Sequence, residues 1–455
     1  MRQAEQRLTP ALARKRRTAA DEKSDRTFLP PCAAALSTRR ALAAASIAGS
    51  TTQKENPVPT PITCNEDLRQ LARRRVPKAI FDYVDRGSYD ETTLNANRAD
   101  LEAIRLRQKV MVDVDNRRLD TTLVGEAARI PVAIAPTGLT GLMHGSGEIL
   151  AARAAQAFGV PFTLSTMSIC SIEQVRAAVD RPFWFQLYVM RDRDFVRSLI
   201  ARAREAGCSA LMLTADLQIQ GQRHQDIKNG LSVPPRLTLS NAFDMARKLP
   251  WLWHVLRGPS RSFGNLEGFV RGAQGTQTLA QWVGGQFDTS LSWKDVGWIR
   301  DQWPGKLIVK GIMDPDDARE AVGQGADAIV VSNHGGRQLD GAPSTIAALP
   351  GIVDAVGHRT EVLFDGGVRS GQDVYKAMAI GARGTFIGKA FLYGLGAMGQ
   401  AGVSTALELI RKELDITMAL GGIRDVAQLD RSALWQPSAE SASAVPAPVN
   451  LLDAA

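Results

Sequence analysis

Eight short apolar runs recur along the middle of this chain, each followed by polar or glycine residues and then a helix-like segment. They are PVAIA (131–135), VPFTLS (160–165), FWFQLY (183–188), ALMLT (210–214), KLIVK (306–310), DAIVVS (327–332), EVLFD (361–365) and GTFIG (384–388). Short runs of β-branched and apolar residues bounded by turn formers read as fully buried strands. Most starts lie twenty to thirty-five residues apart, the length of a strand plus a returning helix, and the single large gap follows the fourth run. Eight consecutive βα units predict a closed (β/α)8 TIM barrel, an α/β fold, in preference to an open doubly wound sheet.

Composition narrows the function. A chain of 455 residues with 44% hydrophobic content can bury a large core. Its net charge of +8 is uneven: residues 1–60 hold 11 Lys and Arg against 5 Asp and Glu, so +6 lies there. The near-neutral remainder argues against a nucleic-acid groove. Cys32, Cys64, Cys170 and Cys208 show neither Cys-x-x-Cys spacing nor paired histidines, so no disulfide framework and no zinc site is expected. No stretch is long and apolar enough to span a bilayer.

Residues 1–60, rich in Ala, Arg, Ser and Thr without periodicity, read as a disordered or targeting-like extension, or as sequence upstream of the real start. Arg39 and Arg40 precede an alanine-rich stretch and form at most a weak twin-arginine export signal. The barrel is expected over 61–430 with an insertion at about 229–290, followed by a flexible tail at 431–455.

The predicted strand ends collect polar groups. Thr137, Ser165, Gln186 with Tyr188, Thr214 with Asp216, Lys310, Ser332 with His334 and Arg337, and Asp365 all fall just at or past a C-terminal end. Chemistry in such barrels is done at that rim, although a strand-end Ser, Thr or Asp can equally cap the following helix. DGGVRSGQDV sets Gly366, Gly367 and Arg369 ahead of a helix N-terminus, and the eighth strand ends in Gly388 and Lys389. These last two loops predict a phosphate-bearing ligand, with a tight turn needing glycine as the alternative. GLGAMG (394–399) matches a dinucleotide fingerprint, but no strand feeds it and none follows, so it reads as a loop or helix start.

With SNHGGRQLDG (332–341), DGGVRSGQDV (365–374), FDYVDRGSYDETTLNANR (81–98), APTGL and WFQLY, the stretch from about Asp67 to Asp425 resembles the FMN-dependent α-hydroxy-acid oxidases and dehydrogenases. The resemblance implies FMN as cofactor and oxidation of an (S)-2-hydroxy acid to the 2-oxo acid. It implies that His334 is the base, Asp216 the carboxylate orienting it, and Arg223 and Arg337 the clamp on the substrate carboxylate. Tyr83 and Tyr188 match substrate-binding hydroxyls, and Lys310 the cation beside the flavin. The remaining flavin contacts fall on Ala135, Pro136, Thr137, Gly138, Ser165, Gln186, Thr214 and Ser332. Asp365, Gly366, Gly367, Arg369, Gly388 and Lys389 surround the ribityl chain and phosphate. Many members carry arginine at Lys389, and a lysine supplies charge without two parallel bonds.

The family leaves the substrate open. GQRHQDIKNGLS and STMSIC resemble bacterial L-lactate dehydrogenases, and PTGLTG also resembles (S)-mandelate dehydrogenase. Gly138 and Met167 are smaller than the residues of glycolate oxidase there. An oxygen-using 2-hydroxy-acid oxidase is a further alternative; a non-catalytic flavin-binding barrel would be expected to have lost base or clamp. Six of the eight tryptophans lie between Trp251 and Trp303, and 228–265 carries six Lys and Arg against Asp244 alone. Such a basic, Trp-bearing segment suits an anionic membrane surface, with a solvated active-site lid as the alternative. A cytoplasmic protein, peripheral on the inner face of the membrane and passing electrons to quinone or cytochrome, is then expected. Family members are often homo-oligomers, typically tetramers.

Overall fold

The computed structural model describes residues 61–230, 239–258, 262–267 and 285–436. The expected N-terminal extension, most of the expected C-terminal tail and parts of the insertion lie outside these residues.

A short antiparallel hairpin, β1 (Thr121–Leu123) and β2 (Glu126–Ala128), precedes the eight barrel strands. These are β3 (Val132–Ile134), β4 (Thr163–Ser165), β5 (Trp184–Leu187), β6 (Ala210–Thr214), β7 (Lys306–Ile312), β8 (Ala328–Val331), β9 (Glu361–Phe364) and β10 (Gly384–Ile387). All pair in parallel in the order β3-β10-β9-β8-β7-β6-β5-β4. The ring closes where Ile134 bridges in parallel to Phe162 and donates its N–H to Pro161 O at 2.9 Å. The (β/α)8 barrel expected from the eight runs is thus the fold.

Side-chain alternation builds two cores from the same strands. Ala133, Trp184, Met212, Ile308, Val330, Leu363 and Phe386 fill the barrel, joined from below by Leu123 and Val124 of the hairpin. The alternate residues, such as Ile134, Phe185, Leu211, Leu213, Val309, Ile329 and Phe364, face the helices. Trp184 meets Phe386 edge to face at 6.0 Å and donates its indole N–H to Glu126 of the hairpin at 2.6 Å. The lower end of the barrel interior is therefore plugged by side chains, and the interior opens at the upper end.

Dedicated caps start the returning helices. Ser171 and Ser370 each form a capping box with the residue three positions on, and Asp192, Asp314 and Ser344 accept from the first turn of theirs. The strand-end Ser165 and Ser332 hydroxyls bond elsewhere, to Gln186 and to Lys310 and His334. The capping alternative thus fails for both.

GLGAMG corrects one expectation. It is neither loop nor helix start: Gly394 and Gly396 lie inside the helix Lys389–Met398, and Gly399 breaks it from the helix Gln400–Gly421. A Cβ on Gly394 would collide with the carbonyl of Gly402, and the reverse holds too, so the glycines let two helices touch backbone to backbone.

Candidate active site

The upper mouth holds a cavity of about 620 Å³. Ala135, Pro136, Thr137 and Gly138 form one wall, and Asp365, Gly366, Gly367, Arg369, Gly388 and Lys389 close one end. Lys310, His334, Arg337, Arg223, Tyr83 and Tyr188 also line it. Ser165, Gln186, Thr214, Ser332 and Asp216, at or just beyond the strand ends, are not among its lining residues.

His334 shows how the loop after β8 makes a site. It takes a left-handed φ of 59°, followed by Gly335 at 66° and Gly336 at 72°. Left-handed backbone is costly for a residue with a Cβ and is held only where the surroundings over-determine it. Here the His334 N–H donates to Ser332 Oγ at 3.1 Å, and Gly336 lies where a Cβ would strike the Leu94 backbone. Close contact with the helix Thr92–Ala103 thus demands glycine at 336, whereas at 335 only the left-handed φ favours it.

The His334 ring is oriented by its Nδ1, 2.9 Å from Asp216 Oδ1. Because Asp216 is a carboxylate, Nδ1 carries the proton and donates, which leaves Nε2 as the acceptor. Burial pushes the His334 pKa below its ordinary value; Asp216 opposes this, while Lys310 and Arg223 add to it. Against burial, the charges of His334 and Lys310 hold the Asp216 carboxyl below its usual range. The imidazole is thus neutral, and ready to take a proton, near pH 7.

Lys310 stays charged although buried: Asp365 at 3.1 Å and Asp216 outweigh the cost of desolvation. Its Nζ donates to Ser332 Oγ at 2.8 Å, the same oxygen that fixes the His334 backbone. Arg337 donates to the carbonyls of Tyr83, at 2.5 Å, and Arg86, at 2.9 Å, at the end of the helix Lys78–Asp85. Arg223 and Arg337 lie over the Tyr83 ring at 5.9 and 4.9 Å. Burial and the neighbouring Arg223 pull the Arg337 pKa down to about 10, against the opposing effects of Tyr83 and Asp226.

A phosphorylated flavin fits what remains. Asp365 Oδ1, in the cavity lining, is buried without a hydrogen-bond partner among the described residues, which calls for a polar ligand. At the far end Lys389 donates to Asp85 O at 2.7 Å, yet burial, with Arg337 and Arg369 nearby, drives its pKa well down. An anion there would reverse that pressure. Gly366 and Gly367 have φ of 102° and 91°, and a Cβ would strike Thr345 on one and the Asn97 carbonyl on the other. The tight turn alone therefore accounts for both glycines, and their open N–H groups come with it.

Some lining residues escaped the sequence reading. Phe263 and Phe287 come from the insertion, and Phe287 meets the Tyr188 ring edge to face at 5.4 Å. Asp226 lies 4.0 Å from Arg223, and burial raises its pKa. Arg98 donates to Gly367 O at 2.5 Å and to Asp373 at 2.8 Å, bracing the glycine turn. Arg98 and Asp226 sit in stretches that carried the resemblance, whereas no pattern marked the two phenylalanines.

A model of the FMN-dependent dehydrogenase family matches residues 72–436. An L-lactate dehydrogenase of Caulobacter vibrioides is 49% identical over 374 residues, spanning 82% of this chain and 97% of the relative. One from Xanthomonas oryzae pv. oryzae is 46% identical over 385 residues, 84% and 99% of the two chains. Among solved structures, the monotopic membrane protein (S)-mandelate dehydrogenase superposes with a TM-score of 0.78 at 35% identity, covering 83% of this chain and 100% of the other. A mandelate oxidase bound to (S)-4-hydroxymandelic acid gives 0.70 at 36% identity, covering 80% and 96%. With a cavity that suits a phosphorylated flavin and a match over most of its length, this chain belongs to the FMN-dependent dehydrogenase family and is an FMN-dependent oxidoreductase.

Proposed function

We propose that the protein oxidises an (S)-2-hydroxy acid, L-lactate foremost, to the 2-oxo acid. The observation that carries this reading is the His334–Asp216 pair sharing one cavity with two guanidiniums. Arg223 and Arg337 hold the substrate carboxylate, and the Tyr83 and Tyr188 hydroxyls bond the substrate. Burial first, then Asp216, pushes the Tyr188 pKa up, so its hydroxyl stays a donor. His334 Nε2 takes one proton as the alcohol becomes a ketone, and Asp216 stabilises the resulting imidazolium. FMN, when bound, would supply the acceptor for the two electrons and the other hydrogen, and Lys310 would be the cation beside it. Lactate is preferred because L-lactate dehydrogenases are the relatives at 46–49% identity. (S)-Mandelate remains the second substrate to try, given the mandelate enzymes among the structural matches.

The test is the visible flavin absorbance under anaerobic conditions, before and after L-lactate and, separately, (S)-mandelate. L-Lactate is expected to bleach the flavin. Bleaching by mandelate alone moves the substrate assignment, and bleaching by neither overturns it. Oxygen uptake with peroxide release would mark an oxidase instead of a dehydrogenase.

The electron acceptor is read as a quinone or cytochrome reached at an anionic membrane surface. Among the described residues no helix is long and apolar enough to cross a membrane. The helix Leu249–Leu256 sits on the loop after β3: Trp251 donates its indole N–H to Leu142 O at 2.7 Å. Its outer face exposes Leu249, Trp253 and Leu256, the preceding helix Leu239–Arg247 exposes Phe243, and Arg257 stacks over Trp253 at 3.8 Å. Exposed apolar residues beside cations suit the headgroup boundary. By contrast Trp293 and Trp298 pack on the core and Trp303 is buried. Changing the four exposed apolar residues to serine is expected to abolish pelleting with anionic vesicles while anaerobic bleaching persists; undiminished pelleting would remove the membrane from the proposal.

A further inference from the structure

The lower end of the barrel carries a second cavity, about 580 Å³, on the outer side of the β1–β2 hairpin. Four arginines line it from four separate segments: Arg118 ahead of β1, Arg129 after β2, Arg181 ahead of β5 and Arg383 ahead of β10. We propose that this cavity is a binding site for a small, multiply charged oxyanion, separate from the FMN cavity.

Placement of the guanidiniums is structural. Arg383 Nε donates to Thr122 O at 3.1 Å, and Arg181 donates to Ala127 O at 3.3 Å, so the two grip the hairpin backbone on successive strands. Each bond uses one of the five N–H donors of its guanidinium. Arg129 stands over the Phe158 ring at 5.1 Å. Among the described residues none of these three has a carboxylate within ion-pair distance. Arg118 alone has carboxylates near it, Asp120 at 3.4 Å and Asp425 at 3.8 Å. Four cations against two carboxylates leave the lining at +2. Like charges gathered by separate segments repel, and an oxyanion bridging their forked donors offsets that repulsion.

The lining also limits the ligand. It contains Thr121 and Thr122 as hydroxyl donors but no aromatic ring, so no nucleobase can be stacked there. The space exceeds what a single phosphate group fills, and its cations come from four separate segments. An oligophosphate and a polycarboxylate share the required chemistry. Such a ligand would tie the hairpin that plugs the barrel to the starts of β5 and β10. Those strands lead to Gln186 and to Gly388 at the upper mouth.

The experiment titrates pyrophosphate and, separately, citrate into the FMN-loaded protein at constant ionic strength. It is followed by calorimetry and thermal unfolding, with flavin absorbance recorded throughout. Saturable one-to-one binding that raises Tm without changing the flavin spectrum is expected for at least one of them. Pyrophosphate alone points to an oligophosphate, citrate alone to a polycarboxylate. Arg129→Gln and Arg181→Gln should each weaken binding about tenfold, the loss of one charge-assisted contact. The Arg129 side chain makes no hydrogen bond among the described residues, and its backbone N–H bond to Gly159 O survives substitution, so its variant tests the site without loosening the hairpin. Absence of saturable binding, or equal affinity in the Arg129→Gln protein, would overturn the proposal.

Discussion

His334→Ala is expected to slow anaerobic flavin reduction by L-lactate about 10³-fold or more while leaving the visible spectrum of bound FMN in place. The ring is the neutral, oriented acceptor in the cavity, and among the described lining residues no other side chain offers an imidazole nitrogen held by a carboxylate. The pH profile gives a finer check. Since burial lowers the His334 pKa, the acidic limb of activity should fall below 6.5, activity being lost as the ring protonates. In Asp216→Asn the charge that favours the protonated ring is gone, so the limb should move to still lower pH. The rate should meanwhile drop by about 10²-fold or more, because nothing stabilises the imidazolium. A limb that stays in place in Asp216→Asn would show that the pair is not electrostatically coupled.

Arg337→Gln is expected to lower kcat/KM for L-lactate by about 10²-fold or more, corresponding to the loss of about 3 kcal/mol from a charge-assisted, forked contact. Some of this loss is structural, since Arg337 also holds the carbonyls that end the Tyr83-bearing helix. Arg337→Lys separates the two contributions: it keeps the charge but not the fork. A clamp predicts that lysine rescues only a small part, mostly in KM. Full rescue by lysine, with rates like those of the unmodified protein, would show that charge alone suffices and that the paired geometry is dispensable.

Much of the site was legible because chemistry and strand position coincide in the chain. His334, Arg337 and Ser332 lie within six residues after one apolar run, and Asp365 to Arg369 follow another, so each loop announced itself. What stayed hidden was set by distance in the chain. Asp85, 304 positions from Lys389, accepts from Arg69 and Tyr393, which hold its pKa down to about 2 against burial, while its carbonyl anchors Lys389. No local pattern marks a carboxylate whose partners come from two other helices, one of them 308 positions away at Tyr393. The reason for the glycines was equally hidden: a phosphate loop and a crowded turn look alike until the Thr345 side chain and the Asn97 carbonyl are seen beside Gly366 and Gly367.

By itself the sequence determined the barrel and its rim of polar groups, because short continuous apolar runs report buried strands and eight of them admit few closed arrangements, and its loop motifs carried the family. Tertiary structure alone decided which rim residues line the cavity and which do not. It also decided the charge states of His334, Lys310 and Arg337 and the meeting of the four arginines beneath the hairpin. Those depend on desolvation and on charges brought together from distant segments, quantities that exist only once the chain has closed.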